Sequence, residues 1–544
     1  MTNYYTSYKN HTNNYSKWRQ EKDLKNLKKE IYIKENPNKI NPEDLQKAKT
    51  LLRAVDLIDE LTHKKTNNFE VVTDSVINIG LQYSAIGGTA LGFLLTKTKY
   101  IKEFIEKIAK YNKRTSNIFK TSFAALFGIG CTIASFPIYV WASKAEQKIY
   151  RKTRHEVMRK DLEDSRIFAT LTNEQEEQLQ KNIEEYQKPK LNINPIKSLK
   201  TLKTKIKAVK NLSTETKEEN IQRRKFENKL FDDERFYKQE LSEKEVENAK
   251  KDQQLLIDIA DKISRESEEY QEKMEIVTNG IITGAFALGA LFSLMYERVS
   301  KKMNFKTKAL PANIGIFLML ASTLLATKMQ TKASQVGRFK AKQELKEHPE
   351  LLVYIKDEEL DKISDEKVIK PKKENIFKFI KNIWKNNYEY ETWKRKTLSK
   401  EKNISKSFEN IELDNKQIKD SKRLQKNTFK TFSNMDNNNH KYTEGITVIG
   451  QAIQYPITLA FSALATLLSI KHLHRLEKST LTKDIFNHSI KYIGTIIALT
   501  LPSIIINNKI IQEQKQATQV CDMLTLNAMK DYRFFADYSE FKEN

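Results

Sequence analysis

The chain has 544 residues, with 95 Lys and Arg against 70 Asp and Glu for a formal charge of +25, and a mean hydropathy of −0.63. Two cysteines, Cys131 and Cys521, exclude a disulfide framework and a four-cysteine zinc site. With 17 Arg against 78 Lys, the chain is poor in the residue that forks onto guanine and phosphate, while the charge favours anionic partners.

Residues 1–70 read as a polar N-terminal helical segment without the apolar core of a signal peptide. Asn41-Pro42-Glu43-Asp44 is a capped helix start with proline at the first helical position. Leu45, Ala48, Leu52 and Val55 follow at helical spacing.

Residues 71–142 hold two windows nearly free of charge, Val76–Leu95 and Thr121–Ala142, joined by the basic loop Thr96–Lys120. A helix of about 20 apolar residues crosses a bilayer, so the pair is expected to form a transmembrane hairpin. Asn78 and Gln82 are its polar candidates inside the membrane. Gly88-x-x-x-Gly92 puts small residues on one helix face, a pattern that lets backbones approach. Lys99–Tyr111, within the loop, is a basic amphipathic stretch.

Residues 143–275 form a charged helical segment. Its first part, Ser143–Arg166, is expected to continue the preceding helix about 30 Å outward as a solvated rod, because its apolar seam is too broken for sustained heptads. From Lys188 to Lys210 there are eight Lys and no acid. After Asn194-Pro195, the residues Ile196, Leu199, Leu202, Ile206 and Val209 share a side. Lys197, Lys200, Lys203, Lys205, Lys207 and Lys210 are therefore candidates for an anionic lipid surface.

Residues 276–326 hold the second pair of windows, Ile276–Tyr296 and Leu310–Ala326. Residues 327–445 are a second charged helical segment. After Pro371 it places Ile376, Phe379, Ile380, Ile383 and Trp384 on one face and Lys378, Lys381 and Lys385 elsewhere. Those lysines and Trp384 are further lipid-surface candidates. Residues 446–506 hold the third pair, Ile446–Ile470 and Tyr492–Ile506, with Gln451 and Gln454 as intramembrane polar candidates. Residues 507–544 are a polar helical tail.

The flanks of the pairs resemble one another. "FEVVTDSVI" at Phe69–Ile77 parallels "MEIVTNGII" at Met274–Ile282, and Ala-x-Gln recurs at Ala145/Gln147, Ala333/Gln335 and Ala517/Gln519. The fold expected is all-α: a polytopic membrane protein of three transmembrane helical hairpins, six helices in all. The hairpins form an internal triplication with long polar helical segments between them.

Catalytic motifs are missing from the sequence. There is no Gly-rich phosphate loop and no Gly-x-Ser-x-Gly elbow. "RHEVMR" at Arg154–Arg159 lacks the second His of a zinc-protease helix, and His472-x-His474 lacks further ligands nearby. No catalytic residue, metal site or cofactor is expected, and the chain is read as not an enzyme. The expected role is a non-catalytic integral membrane scaffold or tether. It would bind protein partners and anionic headgroups through its polar helices, with self-association left open. A multi-pass transporter or channel is the alternative, and a membrane-anchored nucleic-acid binder the third reading. The place expected is the cell (inner) membrane of a low-GC organism. The termini are expected in the cytoplasm, since the long basic segments suit its anionic leaflet.

Overall fold

The computed structural model describes residues 2–110, 112–185, 216–230, 241–302, 310–368, 374–398, 404–436 and 438, then 505, 509, 512–513, 515–527 and 529. Every regular element among them is helical. In chain order the main helices are α1 (Thr2–Glu35), α2 (Pro42–Leu95), α3 (Lys99–Ile108), α4 (Lys113–Glu156), α5 (Asn173–Glu185) and α6 (Lys217–Leu230). They continue with α7 (Glu243–Lys302), α8 (Leu310–Glu347), α9 (Ile376–Leu398), α10 (residues 415–436) and α11 (residues 515–527).

Two long antiparallel pairs dominate, α2 with α4 and α7 with α8. At 1.5 Å per residue, α2 and α7 are rods of about 80 and 90 Å. Asn41 caps α2, its Oδ1 accepting from the Glu43 backbone N–H at 3.1 Å. The stripe Ala48, Leu52, Val55 is buried, joined by Leu51 and Ile58. It meets Leu255, Leu256 and Ile259 of α7, Ala341 and Leu345 of α8, and Phe429 and Phe432 of α10. This shared core is the head of the molecule. α1 lies on α7 largely through ion pairs: Lys29 to Asp258 at 2.8 Å, Lys22 to Asp261 at 3.2 Å and Arg265 to Asp23 at 2.9 Å.

Several expectations need correction. Among the described residues no helix is long and apolar enough to cross a membrane. That overturns the reading of these windows as transmembrane hairpins. The multi-pass placement and the orientation inferred from it fall too. The windows mix their apolar residues with Gly, Ala, Ser, Thr and amides, and in the first pair two glycines of α2 serve helix pairing. A Cβ on Gly92 would meet the Ala124 Cα at 2.7 Å, and one on Gly88 the Cys131 Cβ at 2.6 Å. Most of the third pair, residues 446–504, lies outside the described residues, as do Gln451 and Gln454. Asn78 and Gln82 lie on the α2 backbone, but their side chains are outside what is described.

The charged rod expected at Ser143–Arg166 does not project into solvent. α4 ends at Glu156 in a π turn, Val157–Asp161, followed by a 3-10 turn, Ser165–Phe168. No Pro or Gly stops it. Val157, Met158, Leu162, Ile167 and Phe168 are all buried in the head core, so tertiary packing bends the chain there. The stretches "TDS" at residues 73–75 and "TNG" at 278–280 lie inside unbroken helices.

Candidate functional site

Two places in the described structure concentrate chemistry: a buried knot of charges in the head, and the outward face of α9.

The knot joins four helices. Arg154 of α4 donates through Nη2 to the Asp59 Oδ1 and through Nη1 to the Asp436 Oδ1, both at 2.9 Å. Its guanidinium also lies over the rings of Phe432 and Tyr150, 4.7 and 5.2 Å from their centroids. Lys342 of α8 pairs with Asp56 at 3.2 Å and with Asp59 at 3.3 Å, and Lys346 pairs with Asp56. Arg338, one turn earlier, donates through Nη1 to the Tyr150 hydroxyl at 3.2 Å and contacts the His63 Nε2. Since guanidinium is donor only, His63 accepts at that nitrogen.

Burial alone would raise the Asp59 carboxyl, but Lys342, Arg154 and Arg338 around it hold it well below the usual carboxylate range. Glu60, on the next position of α2, goes the other way. Burial, with Asp56 adding to it, pushes its pKa from 4.5 to about 7, against the pull of Lys342, Lys346 and Lys64. The knot is a structural clamp in which each buried charge faces opposite ones. Sequence reasoning missed it. The signal was Asp56 and Asp59, three apart on the mostly apolar "LLRAVDLIDEL", where a solvated face is the ordinary reading.

α9 differs from its expected single apolar face. Phe379 and Ile383 turn inward against Tyr270 and Met274 of α7 and Val336 and Phe339 of α8. Tyr390 follows on the same side, its hydroxyl donating to Gln335 at 2.9 Å. Phe377, Trp384 and Tyr388 form an outward stripe, 77%, 77% and 74% exposed, with Ile380 also open. The sequence-predicted residues Lys378, Lys381, Trp384 and Lys385 are all exposed and lie together on this outer side. Lys197, Lys200, Lys203, Lys205, Lys207 and Lys210 lie outside the described residues.

A second face of the same kind sits at the far end of the α2–α4 pair. α3 buries Ile105 and exposes Tyr100 and Phe104 at one helix spacing, beside Lys99, Lys102 and Lys107. Between the two ends, Leu91, Ile118, Leu126, Ile133 and Trp141 are open along the paired rods. Exposed apolar side chains in contiguous patches are a feature of interaction surfaces in general.

Metal chemistry has no cluster to use: no group of three His, Cys, Asp or Glu side chains converges among the described residues. Cys521 is buried and Cys131 half-buried, and the two are not joined in a disulfide. No protein-family model, curated protein or solved structure matches the chain.

Proposed function

We propose that the chain is a non-catalytic helical scaffold or tether. It attaches to anionic lipid surfaces from the outside, through lysine–aromatic helix faces, and holds protein partners along the apolar side of its α2–α4 rods. The observation that carries the reading is the outward stripe of α9, Phe377, Trp384 and Tyr388, flanked by Lys378, Lys381 and Lys385. Aromatic rings of this amphipathic kind rest at headgroup depth. Each lysine near an anionic surface contributes about 1 kcal/mol. The inward stripe of Phe379 and Ile383 fixes the helix on its body, so the face is displayed without a folding step.

Vesicle flotation with the full chain tests this. Binding is expected on vesicles rich in phosphatidylserine and not on neutral ones, and it should weaken with salt. Replacing Lys378, Lys381 and Lys385 together by Gln should lower the affinity about 100-fold. Trp384→Ala with Phe377→Ala should weaken binding to every anionic vesicle. Equal flotation of the wild type and the lysine variant would refute the electrostatic assignment. Absence of flotation on anionic vesicles would refute lipid attachment itself.

A further inference from the structure

A cleft of about 50 Å³ opens where α2, α8 and the C-terminal half of α9 meet. Four cationic side chains line it: Lys64 of α2, Arg338 and Lys342 of α8, and Lys394 of α9. Phe339, Tyr390 and Trp393 line it as well, an aromatic cluster with centroid separations of 4.9 to 5.8 Å, and the Lys394 ammonium lies over the Tyr390 ring, 5.6 Å from its centroid. Glu60 is the one carboxylate in the lining. The cation wall is built rather than drifting. Lys342 is anchored on Asp56 and Asp59, and Arg338 is held through Nη1 by Tyr150 and His63. Among the described residues no hydrogen bond engages Arg338 Nη2 or Nε, so part of the fork remains for a ligand.

We propose that this cleft binds a phosphomonoester group. Such a group carries −1.5 to −2 charges and three acceptor oxygens at neutral pH, which suits a guanidinium fork with ammonium groups beside it. The volume is on the scale of a single phosphate group, and the aromatic side chains can receive the carbon part of the ester. The group has two sources, a free phosphate compound or a lipid headgroup such as that of phosphatidic acid. The second rests on the lipid-surface reading, since α9 supplies both the cleft's aromatic wall and the outward stripe.

The test uses the full chain in two arms, calorimetric titration with inorganic phosphate and binding to vesicles of phosphatidic acid or phosphatidylserine at matched surface charge. Lys64 is exposed and Lys394 half-buried, so the double variant Lys64→Gln, Lys394→Gln should fold as wild type. Arg338→Gln serves as the harsher probe. A saturable heat with phosphate, weakened about 10-fold in the double variant, supports the cleft with a free ligand. Preference for phosphatidic acid, lost in the double variant while phosphatidylserine binding persists, supports the headgroup as source. No phosphate heat into the tens of millimolar, together with equal binding to both vesicles, would overturn the proposal. If neither vesicle binds but the phosphate heat is present, the lipid reading fails and the cleft stands.

Discussion

Glu60 shows how a single residue can carry a cost inside a stabilising cluster. Its folded pKa of about 7 lies above its ordinary 4.5, so the folded chain holds this proton more tightly than the unfolded chain. Stability from this residue is therefore complete below pH 4.5 and declines as pH rises toward 7. Glu60→Gln should remove that decline. Denaturant titrations at pH 5 and pH 8 should show little change at pH 5 and a gain on the order of 2 kcal/mol at pH 8. An unchanged difference between the two pH values would place the burden on another group, with Glu275, pushed by burial to about 7 as well, the first to examine. At this scale the sequence was only partly legible. The apolar stripe of Ala48, Leu52 and Val55 declared its buried face. Asp56 and Asp59 did not, because a carboxylate on a helix is ordinarily solvated, and only the fold shows that Lys342 and Arg154 arrive from α8 and α4 to meet them.

At the scale of elements, the helix pairs depend on where glycine permits close approach. A Cβ on Gly337 of α8 would stand 2.6 Å from the Ser267 Cα and 3.0 Å from the Ser267 carbonyl oxygen, both backbone atoms of α7. Gly337→Ala must push the rods apart at the level of Arg338 and Phe339, and should cost about 1–3 kcal/mol. Gly280 on α7 has nothing within 4 Å of its own added Cβ. Gly280→Ala should gain about 0.5–1 kcal/mol from helix propensity alone. Thermal denaturation of the two variants against wild type checks the opposite signs. The Gly88-x-x-x-Gly92 pattern announced such an approach in α2, and the structure places Cys131 and Ala124 against it. The run of uncharged residues around it invited the transmembrane reading because pairing and membrane spanning both remove charge from a helix. α9 was legible as basic and amphipathic. Its division into inward Phe379 and Ile383 and outward Phe377 and Trp384 was not, because one helix with apolar residues on two sides has no unique face until a neighbour covers one.

For the whole molecule, the two lysine–aromatic faces, on α9 and α3, stand at different levels of α2: α9 meets it near His63 and Lys64, and α3 follows its last residue, Leu95. A chain that binds lipid surfaces through both faces should draw vesicles together. Light scattering of anionic vesicles should rise on adding protein. Tyr100→Ala with Phe104→Ala should abolish that rise while leaving flotation on single vesicles intact. Loss of both together would mean that α3 supports the fold rather than a second contact.

The feature that gives this arrangement its character is the unbroken course of α2. From His63, beside the cleft, to Leu95, below α3, are 32 residues in one helix, a length of about 48 Å. The same number of residues as a flexible linker would have a root-mean-square span of about 30 Å with a broad spread. α2 thus works as a gauge: it sets a distance, with α4 as its splint. Whatever is held at these two levels is kept at one separation, so the gap between apposed surfaces would vary little from molecule to molecule.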